Sequence, residues 1–199
     1  MKKLLVLSMA LIMTLALVAC GEDKSSSGIT PADTSTSAPT SANTSNTPSN
    51  DLVEFTGNGL EFALPVDIKY VKTEDVAGSM IFANDEKTAV VTLGVKAEDA
   101  VTSADITDDV LLAALSGGGG LSDAELESSG TVEQHGGTSV VGFGKGTMQN
   151  GAVMNSVIQY FFPGTGDGYH VISYLYAVDG GSSLDDTIEL VLSTVKTEK

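Results

Sequence analysis

The 199-residue chain carries 10 lysines and no arginine against 26 acidic residues, a formal charge of −16 at pH 7. That balance excludes nucleic acid as a partner, since the chain lacks both a basic stripe and the planar guanidinium fork that grips phosphate in two places. A single cysteine excludes a disulfide framework, so the folded part must be held by its apolar core.

Lys2 and Lys3 precede an apolar run from Leu4 to Ala19, interrupted only by Ser8 and Thr14. A basic end, an apolar helix for the translocon and small residues near a cut are the parts of a secretory signal. The run is shorter than the roughly 20 apolar residues a spanning helix needs, and it ends in Cys20-Gly21-Glu22-Asp23, where two carboxylates resist entry into hydrocarbon. Leu17-Val18-Ala19-Cys20, with Gly21 after it, resembles the signal of bacterial lipoproteins. The resemblance implies a diacylglycerol thioether on Cys20, cleavage after Ala19 and further acylation, as with palmitate. The alternatives are an ordinary signal peptide with a chance cysteine, or a thiol within a membrane helix. One acyl chain holds a protein only marginally, at about 0.8 kcal/mol per buried CH₂, whereas two or three anchor it stably. The expected location is therefore the extracytoplasmic face of the cell membrane, with residues 1–19 removed. Loss of Lys2 and Lys3 leaves 8 lysines against 26 acids, a charge of −18.

Residues 20–50 shift to Ser, Thr, Asn, Ala and Pro, with Ile29 the one large apolar residue from Gly21 onward. Such a stretch buries too little surface to offset chain entropy and reads as a disordered tether. With ~30 residues at about 5–6 Å × √n, its typical span is roughly 30 Å. Asn43-Thr44-Ser45 is a glycan sequon, set against the plainer reading of an unmodified linker.

Residues 51–199 read as a single α+β domain. Asn58-Gly59 between the alternating segments Leu52 to Thr56 and Leu60 to Leu64 predicts a hairpin, because both turn residues accept positive φ. Strands are expected at Ile68 to Val71, Ser79 to Phe82 and Thr88 to Lys96, with a turn at Asn84 to Lys87. A helix fits Asp108 to Ser116, with Thr107 as cap, two aspartates at its positive end, and Gly117 to Gly120 stopping it. Ser122-Asp123-Ala124-Glu125 has the capping-box pattern of a second short helix. Strands follow from Gly130 to Gln134, Ser139 to Met148, Ala152 to Phe162 and Tyr169 to Val178. A closing helix from Leu184 to Thr194, capped by Ser183, places Leu184, Ile188, Val191 and Val195 on one face.

Three segments carry a resemblance to the PsbP-like superfamily, which includes DcrB-like bacterial lipoproteins: Leu60-Glu61-Phe62-Ala63-Leu64-Pro65, Tyr169-His170-Val171-Ile172-Ser173-Tyr174, and Ile188 to Lys196. Where a Gly-Trp commonly follows the proline in such proteins, this chain has Val66-Asp67. The resemblance implies an antiparallel β-sheet flanked by helices, an α/β/α sandwich, used for binding or assembly more than for chemistry.

No catalytic, cofactor or metal motif emerges. A serine hydrolase would need a Gly-x-Ser-x-Gly elbow, which is absent, and the candidate bases are His135, beside Gly136-Gly137 in an expected turn, and His170, alternating along a strand with Ile172 and Tyr174. A structural role is the reading for each. Gly144-Lys145-Gly146-Thr147 is not a phosphate loop, because a glycine separates the lysine from the threonine and the segment is a strand. Asp108-Asp109 and Asp185-Asp186 serve as helix-start charges.

Gly142, Gly144 and Gly146 recur at period two and share one face of their strand. A two-residue Asn150-Gly151 turn would pair Gly146 with Asn155, Gly144 with Val157 and Gly142 with Gln159, making a shallow floor with polar walls for a partner segment or small ligand. The alternative is that one of the chain's own helices packs there. The sequence thus predicts a lipid-anchored envelope protein with a binding or accessory role, an envelope protein or small ligand being its candidate partner. An extracytoplasmic hydrolase and a structural spacer are the rival readings.

Overall fold

The computed structural model describes residues 51–71, 78–98, 100–118, 120–164, 168–178 and 182–198, so the signal, Cys20 and tether expectations lie outside the described residues. In chain order the elements are β1 (Leu52–Gly57), β2 (Leu60–Pro65), β3 (Lys69–Val71), β4 (Met80–Ala83), β5 (Ala89–Leu93), a 3₁₀ turn (Ser103–Asp105), α1 (Asp108–Gly118), β6 (Ser122–Gln134), β7 (Gly137–Thr147), β8 (Val153–Pro163), β9 (His170–Ala177), α2 (Ser183–Thr194) and β10 (Lys196–Thr197). Seven strands form one antiparallel sheet in the order β3-β4-β5-β9-β8-β7-β6, and a small sheet runs β1-β2-β10.

The first hairpin forms as its turn residues dictate: Asn58 and Gly59 have φ of 52° and 81°, and Gly57 pairs with Leu60. The Asn58 amide then donates to Gly78 O (2.9 Å) and Gly94 O (3.2 Å), tying the tip to the large sheet. The apolar positions of β2 and α2 cover one face of that sheet, where Leu60, Phe62 and Leu64 meet Phe82, Val91, Phe161, Ile172 and Tyr174 beneath Leu184, Ile188, Val191 and Val195. On the opposite face Leu111, Ala114 and Leu115 of α1 bury Val140, Ile158, Tyr160 and Tyr169. The layers are therefore α2 with the small sheet, the large sheet, then α1, the expected sandwich.

Three local expectations are corrected. Ser122 to Glu125 is strand, the bulged start of β6, because pairing with β7 and packing against α1 outweigh the local capping signal; Asp123 takes φ of 51° at the bulge. The α2 cap is Ser182, whose Oγ accepts from Leu184 N (3.1 Å), while Ser183 Oγ donates to the Asp67 carboxylate. The β7–β8 loop has three residues, Gln149 to Gly151: Met148 N–H donates to Ala152 O (2.8 Å), Gly151 N–H to Met148 O (2.9 Å), and Gly151 sits at φ of 85°. A type I turn closed by a left-handed glycine accounts for this geometry and shifts the register by one residue from the two-residue expectation.

Candidate functional site

That register decides where the glycines and their expected polar walls lie. Gly142 pairs with Ile158, Gly144 with Ser156 and Gly146 with Met154, whereas Asn155 pairs with Lys145 and Gln159 with Val141. Asn155 and Gln159 thus project from the opposite face of the sheet. The glycine face itself is filled by the chain: a Cβ on Gly144 would strike Glu125 O and approach Leu115 Cδ1 at 2.8 Å, and one on Gly142 would lie 3.2 Å from Leu111 Cβ. The shallow floor for an external ligand is replaced by α1 and the bulged start of β6, which come close because the glycines have no side chains.

Gln159 belongs instead to a buried polar network under the end of α2. Its Nε2 donates to Ser139 Oγ (2.9 Å) and Leu192 O (3.3 Å), and its Oε1 accepts from Tyr174 OH (2.9 Å). Gln134 Nε2 also donates to Leu192 O (2.7 Å), and Ser139 Oγ donates to Gln134 Oε1 (2.8 Å). Leu192 O is one of the last carbonyls of α2, which have no partner within the helix, so two side-chain amides take their place. Burial holds the Tyr174 hydroxyl well above the ordinary phenol range, so it stays a donor. Sequence reasoning missed this network, although Ser139 and Gln159 at inward strand positions were its signal.

The histidines separate by environment. His170 is 2 % exposed, and its Nδ1 has no hydrogen-bond partner among the described residues. Burial, reinforced by the Lys96 charge, pushes its pKa down to about 4, which keeps the imidazole neutral at physiological pH. His135 is exposed on the β6–β7 turn and lines an open cleft of about 440 Å³ with Glu54, Thr56, Glu61, Ser193 and Lys196. Lys196 pairs with Glu61 at 2.9 Å, and that hydrogen bond and charge, then Glu54, push the ammonium above its usual range. Ser193 Oγ, in the same cleft, donates to Leu190 O (2.7 Å) rather than to the imidazole. Charge and hydrogen bonding could hold a polar ligand in this cleft; neither histidine is joined to a nucleophile among the described residues. No group of three metal-ligating side chains occurs among them either.

No protein-family profile matches the chain, and no curated protein is significantly similar to it in sequence. Solved structures do match. The cyanobacterial PsbP protein (CyanoP) of Synechocystis superposes with a TM-score of 0.54 at 14% identity, covering 80% of this chain and 98% of its own. The fold is PsbP-like. The Ran-binding protein Mog1p of Saccharomyces cerevisiae (TM-score 0.44, 14% identity, 70% of this chain and 82% of that one) and LpqN of Mycobacterium tuberculosis, involved in cell envelope biogenesis (TM-score 0.46, 14% identity, 70% and 83%), also match. In this PsbP-like chain the three segments that carry the sequence resemblance, β2, β9 and α2, all feed one core. The likeness therefore rests on packing positions and leaves the surface free to differ.

Proposed function

We propose that this chain is a lipoprotein anchored through Cys20 to the outer face of the cytoplasmic membrane, and that its PsbP-like part has a binding or accessory role in the cell envelope. The observation that carries this reading is Leu17-Val18-Ala19-Cys20 at the end of a signal-like apolar run. The fold supplies a compatible attachment point. Asp51, the first described residue, is exposed; its carbonyl accepts from Val66 N (3.2 Å), and it leads into β1, an outer strand of the small sheet. The surplus of carboxylates favours standing off from anionic lipid, which suits a domain held out on a polar linker.

The test is metabolic labelling with a palmitate analogue in bacterial cells, comparing the natural chain with Cys20→Ser. Labelled protein in the membrane fraction, with the label lost in the variant, is the expected result. An unlabelled natural chain, or label that persists without Cys20, rules out the anchor. Cross-linking in intact cells, with the Cys20→Ser chain as control, then identifies what the anchored protein touches.

A further inference from the structure

The far edge of the large sheet is β6, thirteen residues long with no strand beyond it among the described residues. Its two halves differ. Ser122 to Glu127 is blunted as edges usually are: two bulges break its register, and Asp123, Glu125 and Glu127 lie along it, with Lys145 bound to Glu127 at 2.7 Å. From Ser128 to Gln134 every residue pairs with β7 in unbroken register, Ser128 through Glu133 are exposed, and the space beside Gly130 is open.

The phase of the ladder shows which backbone groups are free. The Met148 N–H to Ala152 O bond sets the even-numbered residues of β7 to bond with β8, so its odd-numbered residues bond with β6. Of these, Ser139 and Val141 face Val132 and Gly130, which therefore spend their N–H and C=O groups inward. Ser129, Thr131 and Glu133 direct theirs off the sheet.

We propose that this straight half of β6 is a docking edge for an extended strand of a partner protein that carries basic side chains. A strand laid along it would satisfy the N–H and C=O groups of Ser129, Thr131 and Glu133, the mode of β-strand addition. Charge selects the partner's chemistry. Asp108 and Asp109 open α1 beside this edge, Ser129 Oγ bonds Asp108 Oδ1 (2.7 Å), and Glu133 stands further along the same strand, its carboxylate accepting from Thr138. Alternate lysines or arginines on the incoming strand would meet these carboxylates. A second copy of this chain would bring the same carboxylates against one another and is disfavoured. The inference deepens the binding role proposed above but does not depend on the anchor, which is read separately from the Cys20 label.

The experiment is a titration of the purified, isotope-labelled full chain with a synthetic peptide of alternating lysine and valine, and with its glutamate counterpart. Amide exchange should slow by about tenfold or more, the change that a tenfold bound excess gives, at Ser129, Thr131 and Glu133 with the lysine peptide. Gly130 and Val132, already bonded to β7, should change little, and the glutamate peptide should have no effect. Thr131→Pro removes one outward N–H without touching the β7 ladder and should abolish the response. The alternation in exchange decides the matter even if that variant folds poorly. Equal response to both peptides, protection elsewhere, or protection that follows protein concentration and reports a self-paired edge would overturn the proposal.

Discussion

Tyr174 donates its phenolic hydrogen to Gln159 Oε1 at 2.9 Å, and both residues are fully buried. The bond joins β9 to β8 inside the core that also receives α2, so one amide secures two strands and a helix terminus. Replacing Gln159 by leucine would leave Tyr174 OH without its acceptor while Leu192 O kept only Gln134. Gln159→Leu should therefore lower the unfolding free energy by about 2–3 kcal/mol, the cost of stranding buried polar groups. Urea denaturation checks this, and adding Tyr174→Phe should recover part of the loss because it removes the stranded hydroxyl.

Gly142 and Gly144 of β7 should differ in tolerance. A methyl at Gly144 meets the backbone oxygen of Glu125, which cannot move without shifting β6, whereas at Gly142 the nearest atom is the end of the Leu126 side chain, at 3.1 Å. Gly144→Ala is expected to cost about 2–3 kcal/mol and Gly142→Ala about 1 kcal/mol or less, in line with overpacking of a filled core. Equal thermal shifts for the two would show that the α1 layer is looser than its contacts imply.

His170 makes stability depend on pH in one window. Its folded pKa of about 4 lies below the ordinary 6.5, so between these values the unfolded chain holds a proton that the native chain does not. Stability from this group is fully present above pH 6.5 and falls as pH drops toward 4, by about 3 kcal/mol in all. Below that both states are protonated and the contribution stops changing. Subtracting the denaturation profile of His170→Phe from that of the natural chain isolates the slope, since carboxylate titration is common to both.

The start of α2 offers a two-residue contrast. Ser182→Ala removes the oxygen that accepts from Leu184 N and should cost about 1 kcal/mol, as N-cap losses do. Ser183→Ala leaves the cap and breaks only the link to Asp67, so its effect on melting should be the smaller.

Much of the architecture follows from local signals in the chain. The Asn58-Gly59 turn, both main helices and most strands are set by residues acting within a few positions of themselves, through φ preference and the period of apolar side chains. The charge, the lone cysteine and the Leu17-to-Cys20 pattern also belong to the sequence, and they carry the proposed location. What the chain alone left undecided hung on distant contacts. Ser122 to Glu125 has a helix-start pattern, yet β7 and α1 draw it into a strand. One added residue in the β7–β8 loop moved Asn155 and Gln159 to the opposite face, because side chains alternate at every step along a strand. The glycines of β7 could equally have received a ligand or the protein's own helix; only the packed structure shows Leu111, Leu115 and Glu125 occupying that space. The free groups of Ser129, Thr131 and Glu133 are likewise products of pairing, since which way a backbone amide points depends on the strand beside it.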